Sequence, residues 1–360
     1  MRLRLKPIPE QVLVITGASS GIGRTTARLA AERGARLVLA ARDGAALDDA
    51  AHECERAGGE AVTVRCDVAD AGDVRRLARA AERAFGGVDT WVNNAGTSIY
   101  GLLEEVPLEE LRRLMDVNFW GVVYGSRAAV PLLEARGGGA LVNVGSVLSE
   151  RAIPLQGMYC ATKHAVLAFT DALRMELAHR KAPVSVSLVK PASIDTPFYD
   201  TARNHMPRRP RPVPPVYAPE VPARAILQCA ERPTRDVYAG GAARVIAEAG
   251  RHAPGLTDRA MERVMFEGQQ ADEPPVDAAG SLYAPLDHAA ERGRYERRGG
   301  HDLGDGPAHA AAEALGAALG TPLGVARGVG RAALAAGLGV GLTAAALAFG
   351  RRGGDGDRAD

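Results

Sequence analysis

Six short apolar runs separated by stretches of helical length constrain this chain more than any other feature. The runs lie at Val12–Thr16, Arg36–Ala41, 61–66, Thr90–Asn93, 140–144 and 184–189. Helical stretches fall between them at 22–33, 45–57, Ala71–Phe85, 108–134 and 159–180. Strands that alternate with helices of this length build βαβ units, and those units assemble into a parallel sheet with helices on both faces. The expected fold is therefore α/β, a doubly wound parallel sheet of the Rossmann type. Such sheets bind ligands at the carboxyl ends of their strands. Pro-rich sequence interrupts the alternation over 207–222, and a helix near 219–231 and a strand at Asp236–Ala239 resume it. Helices near 242–250 and 256–267 close the folded unit.

With 360 residues, the chain holds one catalytic domain, placed at 8–267, and a C-terminal extension. A formal net charge of +1 gives no reason to expect a nucleic-acid partner. Cys54, Cys66, Cys160 and Cys229 are scattered without zinc-type spacing, so neither a metal site nor a disulfide framework is expected. That cysteine usage, and the lack of an apolar run before the first strand, predict a cytoplasmic protein. Residues 268–307 are rich in charge, Gly and Pro without apolar periodicity, and read as a disordered, low-complexity linker. The Ala/Gly-rich tail, 308–360, contains nineteen uncharged residues at 332–350. As a helix these would extend about 28 Å, against a hydrocarbon core of about 30 Å. Gly337 and Gly341 supply a GxxxG spacing. The weak hydrophobicity of Ala and Gly leaves two readings open, a membrane-associating helix and a soluble tail.

Thr16-Gly17-Ala18-Ser19-Ser20-Gly21-Ile22-Gly23 joins the first strand to the first helix. Glycines permit a tight turn and close approach of a pyrophosphate, and the helix N-terminus presents free N–H groups. The second strand ends at Ala41-Arg42. A carboxylate there would accept hydrogen bonds from adenine-ribose hydroxyls and repel a 2′-phosphate. A small neutral residue followed by a guanidinium suits the phosphate instead, so NADP(H) is expected in preference to NAD(H). Tyr159 and Lys163, four residues apart, share one face of a helix. An ammonium close to a phenol lowers the phenol's pKa from about 10.

The Thr-Gly-xxx-Gly-x-Gly spacing resembles the classical short-chain dehydrogenase/reductase family, and the likeness accumulates over about 10–245. Asn93-Asn94-Ala95-Gly96 is similar to its fourth-strand motif, and Asn118 matches its helix asparagine. Ser146, Tyr159 and Lys163 follow at the family's spacing. Lys190-Pro191-Ala192-Ser193-Ile194-Asp195-Thr196 resembles the segment after its sixth strand, with Ala192 where glycine is usual. The resemblance implies Asn118, Ser146, Tyr159 and Lys163 as catalytic residues. It also implies cofactor contacts at Gly17, Ser19, Ser20, Gly21, Ile22 and Gly23, with Asp67 and Val68 at adenine and Asn94, Ala95 and Gly96 at ribose. Tyr159, Lys163, Pro191, Ile194 and Thr196 would surround the nicotinamide end.

The activity implied is hydride transfer between a nicotinamide and a secondary alcohol or its carbonyl partner, with Tyr159 as acid or base. The competing reading, a dinucleotide-binding regulator without turnover, has no use for the full Asn/Ser/Tyr/Lys set. A lid over 197–222 and a wall over 101–106 are expected to enclose a small hydrophobic substrate. Arg208, Arg209 and Arg211 read as a solvated loop or a handle for an anionic group. The resemblance further implies a homodimer or homotetramer.

Overall fold

The computed structural model describes residues 3–275, 279–286 and 290–295. Seven parallel strands form the central sheet: β1 (Val12–Thr16), β2 (Arg36–Ala41), β3 (Glu60–Arg65), β4 (Thr90–Asn93), β5 (Gly139–Val144), β6 (Val184–Pro191) and β7 (Asp236–Ala239). Their order across the sheet is β7-β6-β5-β4-β1-β2-β3, and every adjacent pair is parallel. The reversal of direction lies between β1 and β4, where such sheets open a crevice. All six expected runs are strands, displaced by at most two residues at an end.

The sheet's twofold alternation builds two cores. Leu13 and Ile15 face α1 (Gly21–Ala31) and α2 (Gly44–Arg56), joined by Ile226 of α7 (Glu220–Glu231). Val12 and Val14 face α3 (Ala71–Phe85) and the helices after β4 and β5. Successive side chains of a strand point to opposite faces, so a run apolar throughout demands cover on both sides. α3 begins at Asp70, whose carboxylate accepts from Asp73 N–H at 3.1 Å, and stops at Gly86 in the left-handed conformation.

The expected helix over 108–134 is one continuous rod with a fault in it. α4 (Leu108–Met115) passes through a π turn at Asp116–Trp120 into α5 (Gly121–Ala135). Single π turns mark places where a helix is bent to function, and this one contains Asn118. α6 (Gly157–His179) packs alongside, and α8 (Gly241–His252) and α9 (Pro254–Gly268) follow β7.

Beyond α9 the expectation of a loose linker does not hold where the chain is described. Gln269 and Leu282 are fully buried. The rest of 268–307, and the tail with 332–350, lie outside the described residues. Among those described, no helix is long and apolar enough to cross a membrane. The basic cluster also differs from a solvated loop. Arg209 is buried and pairs with Glu273 at 2.7 Å, and Arg211 donates to Gly268 O at 3.0 Å. These guanidiniums hold the chain after α9 against the body.

Gly125 shows how tightly α5 sits on the sheet. A methyl group there would lie 2.0 Å from Asn93 Oδ1. That oxygen accepts from Trp91 Nε1 at 2.8 Å, and Asn93 Nδ2 donates to Asn143 Oδ1 at 2.9 Å. Gly125→Ala is expected to lower stability by about 3 kcal/mol, from overpacking and a disturbed buried polar network. Chemical denaturation measures this, and a loss below about 1 kcal/mol would mean that the helix can shift away freely.

Candidate active site

The turn between β1 and α1 is built by backbone approach. Gly17 has φ +66°, and a Cβ on it would lie 2.8 Å from Ala95 Cα. A Cβ on Gly23 would lie 2.1 Å from Gly17 O. The turn is tied to the end of β4 from both sides. Thr16 Oγ1 accepts from Asn94 N–H at 3.0 Å and Ala95 N–H at 3.1 Å, and Asn94 Nδ2 donates to Thr16 O at 2.9 Å. A cradle this close, at a helix N-terminus, fits a pyrophosphate.

One open cleft runs from this turn along the strand ends. Its lining includes Gly17, Ser19, Ser20, Gly21, Ile22, Arg42, Asp67, Val68, Asn94, Ala95 and Gly96. Ser146, Tyr159, Lys163, Pro191, Ile194 and Thr196 line its other half. Gly23 and Asn118 are not in the lining; they stand behind it, one closing the turn and the other holding the π turn.

Just past the end of β2, Asp43 caps α2 by accepting from Ala46 N–H at 3.1 Å. Arg42 is half-buried, and desolvation lowers its pKa against the pull of Asp67. Asp67 itself pairs with Arg113 at 2.5 Å.

At the far end, Ser146 opens a single turn as a reciprocal cap. Its Oγ accepts from Leu148 N–H at 3.1 Å, and its own N–H donates to Ser149 Oγ at 3.1 Å. That lock fixes the hydroxyl in the cleft beside Tyr159. Lys163 Nζ donates to Val144 O at 2.9 Å and sits 5.7 Å from the Tyr159 ring centre.

Burial pushes the Tyr159 phenol well up, and the nearby Ser146 hydroxyl offsets only part of that. Burial pulls Lys163 down to about 8. The expectation that the ammonium brings the phenol's pKa below 10 is therefore overturned. Desolvation penalises both charged forms in the same enclosed space, and here it is the larger effect.

Asn118 uses its amide locally. Oδ1 accepts from Thr97 N–H at 2.9 Å, and Nδ2 donates to Thr97 O at 2.9 Å and Thr162 Oγ1 at 3.2 Å. A Cβ on Gly96 would lie 3.2 Å from Asn118 Oδ1 and 3.8 Å from Lys163 Nζ. The π turn thus brings its own asparagine, the end of β4 and the α6 lysine around one small space.

The family model described as short chain dehydrogenase matches residues 11–207. The chain belongs to the short-chain dehydrogenase family. It is 46% identical over 277 residues to an uncharacterized oxidoreductase of Bacillus subtilis, covering 76% of this chain and 77% of that one. It is 37% identical over 238 residues to an 11-beta-hydroxysteroid dehydrogenase A of Sesamum indicum, covering 63% and 67%. Among solved structures, an alcohol dehydrogenase from the archaeon Thermococcus sibiricus, complexed with 5-hydroxy-NADP, superposes with a TM-score of 0.56 at 31% identity. That match covers 63% of this chain and 94% of the other. The chain is thus an oxidoreductase of a family that uses NAD(P).

Of the expected lid over 197–222, Phe198, Tyr199 and Val213 line the cleft, whereas His205, Met206 and Tyr217 do not. Phe198 meets the Tyr159 ring edge-on at 5.8 Å, and Tyr100, Ile153, Tyr199 and Val213 line the same space. His205 and Arg203 brace the lid from outside, both bound to the buried Glu110, at 2.7 Å and 2.9 Å. Sequence reasoning missed Met261, Met265, Gln269, Ser281, Pro285 and Leu286, which also line the cleft. Met261 and Met265 lie one turn apart on the expected last helix, whereas the stretch of Ser281, Pro285 and Leu286 carries no repeating apolar pattern to mark it.

An NMR titration of the Lys163 amine is expected to give a midpoint near pH 8. A midpoint above 10 would mean that water solvates the group and that burial does not govern this site.

Proposed function

We propose that the protein is an NADP(H)-preferring oxidoreductase that interconverts a hydrophobic secondary alcohol and its carbonyl counterpart, with Tyr159 as the acid–base group. One observation carries this reading. The Tyr159 phenol, the Ser146 hydroxyl and the Lys163 amine converge at one end of a cleft. The phosphate-sized turn at 16–23 and Arg42 lie along the same cleft.

The nicotinamide, when bound, supplies or accepts the hydride. Gly17 to Gly23 would hold the pyrophosphate, Asp67 and Val68 the adenine, and Asn94 to Gly96 the ribose. Pro191, Ile194 and Thr196 would surround the nicotinamide. Arg42 would receive the 2′-phosphate, a charge-assisted contact that a guanidinium makes well.

The chain's own residues handle the proton. Burial keeps the Tyr159 phenol protonated at neutral pH, so in reduction it donates to the substrate's carbonyl oxygen. In oxidation the step runs in reverse, and Tyr159 would take the alcohol's proton only once Lys163 has drawn off its own. Ser146, locked by its reciprocal cap, donates to the same oxygen and steadies charge developing there. Lys163, held by Val144 O, stands where it can bind the nicotinamide ribose and return the proton. Asn118 positions Thr97 and the π turn beside that lysine. The ring of Phe198 and the thioethers of Met261 and Met265 favour an apolar substrate. Gln269 Oε1 is buried without a partner among the described residues, and a donor group on the substrate would satisfy it. A homodimer or homotetramer, as the family resemblance implies, would have exposed apolar side chains such as Trp120 and Met175 to cover, 43% and 64% exposed.

Two outcomes test this reading. Tyr159→Phe is expected to cut turnover on a reactive ketone by about 10²–10⁴-fold while leaving the NADPH Kd within about threefold. An active variant would remove Tyr159 from the chemistry. Arg42→Ala is expected to weaken NADPH by about tenfold or more and NADH by no more than about twofold. Equal loss for both would mean that Arg42 does not read the 2′-phosphate.

A further inference from the structure

Two stretches after α9 dock beside the cleft, 279–286 in its lining and 290–295 at the start of α1. The first is seated by an apolar anchor. Leu282 is 0% exposed and belongs to the cluster of Ile99, Val106, Leu114 and Tyr159. Ser281 N–H donates to Thr201 O at 2.7 Å. Arg42 donates to the carbonyls of Ser281 and Leu282, and Arg113 Nε donates to Leu282 O at 3.3 Å. The residue best placed for a 2′-phosphate is therefore held in position by this stretch.

The second stretch is seated by charge. Glu291 takes Arg28 of α1 in a two-pronged pair, at 2.7 Å and 3.0 Å. Arg292 pairs with Glu220 of α7 at 2.7 Å, and Arg294 with Asp200 at 3.2 Å. Gly21 N–H, at the start of α1, donates to Ala290 O at 2.9 Å. Gly293 N–H and Tyr295 N–H both donate to Asp195, at 3.2 Å and 3.0 Å. The Tyr295 ring meets Tyr199 edge-on at 5.8 Å, continuing the line of rings from Tyr159 through Phe198.

Ser281, Pro285 and Leu286 line the cleft together with Gly17, Asn94 and Tyr159. The first stretch therefore walls the space, and the second adjoins it where Ala290 O meets the N–H of Gly21, itself a lining residue. We propose that they are the outer wall of the dinucleotide site and hold the cofactor in it. This rests on the cleft being that site. The two halves differ in how they open. A buried leucine keeps 279–286 closed, whereas 290–295 is held by partly solvated ion pairs and backbone bonds, which part locally at low cost. Release and entry of the dinucleotide run past 290–295, and the wall couples that exit through the ring line to the substrate lid.

The test is the NADPH dissociation rate of the full chain, followed by stopped-flow fluorescence with excess NADP⁺ as trap. Arg28→Glu and Glu291→Arg are each expected to speed release by about fivefold or more, and the double swap to return it to within about twofold. NADH release should change in parallel, because these contacts lie away from Arg42. Arg292→Glu, which breaks the pair with Glu220, gives an independent second variant. Unchanged release in all the single variants would overturn the proposal. Slower release or tighter binding would also overturn it, by showing that the stretch obstructs the site. A wild-type protein that binds neither NADPH nor NADH would instead overturn the reading of the cleft.

Discussion

The structure depends on backbone meeting backbone where the β1–α1 turn touches the end of β4. At Gly17 and Gly23 the separation leaves no room for a side chain. Thr16 Oγ1 serves this contact three times, donating to Val92 O at 3.2 Å and accepting from the N–H groups of Asn94 and Ala95. Two parallel strands are thereby pinned at the point where the sheet reverses its order, and the crevice is a consequence of that pin. Were the turn to stand off by the width of a methyl group, α1's N-terminus would no longer border the space that Tyr159 faces.

A second constraint is that polar groups at these strand ends are out of water and need partners. Asn93, Asn118 and Asn143 are all buried, and each is satisfied by a neighbouring strand or helix. The π turn fits this pattern. It places Asn118 so that both sides of its amide serve Thr97, the residue after Gly96. The same dryness sets the titration of the site. It raises the phenol and depresses the lysine, so Tyr159 keeps its proton at neutral pH.

The strands were legible because runs buried on both faces are written in contiguous Val, Leu, Ile and Ala. The turn at 16–23 was legible because its glycines have a steric cause. Ser146, just past the end of β5, and Tyr159 and Lys163, in the first turns of α6, were legible as a group by their spacing, and they line one cleft. The direction of the pKa effects was not legible. Spacing shows that a lysine lies near a phenol, but the balance between charge and desolvation depends on how much of the chain covers both. The wall after α9 was hidden for a similar reason. Leu282, Glu291 and Tyr295 make their contacts singly, each with a distant element, so no local periodicity announces them. Gly- and charge-rich composition marks a segment that cannot form its own core, yet such a segment can still dock on another.

The central claim is that one cleft joins a dinucleotide to Tyr159 beneath a wall formed by the chain's own C-terminal stretches. The most direct test is a crystal structure of the full chain with NADP⁺. The account predicts the 2′-phosphate at Arg42, the pyrophosphate at the turn of Gly17 to Gly23 and the nicotinamide beside Tyr159 and Lys163, with 279–286 and 290–295 outside the nucleotide. A nucleotide bound elsewhere, or one that lies where those stretches run and has expelled them, would contradict it.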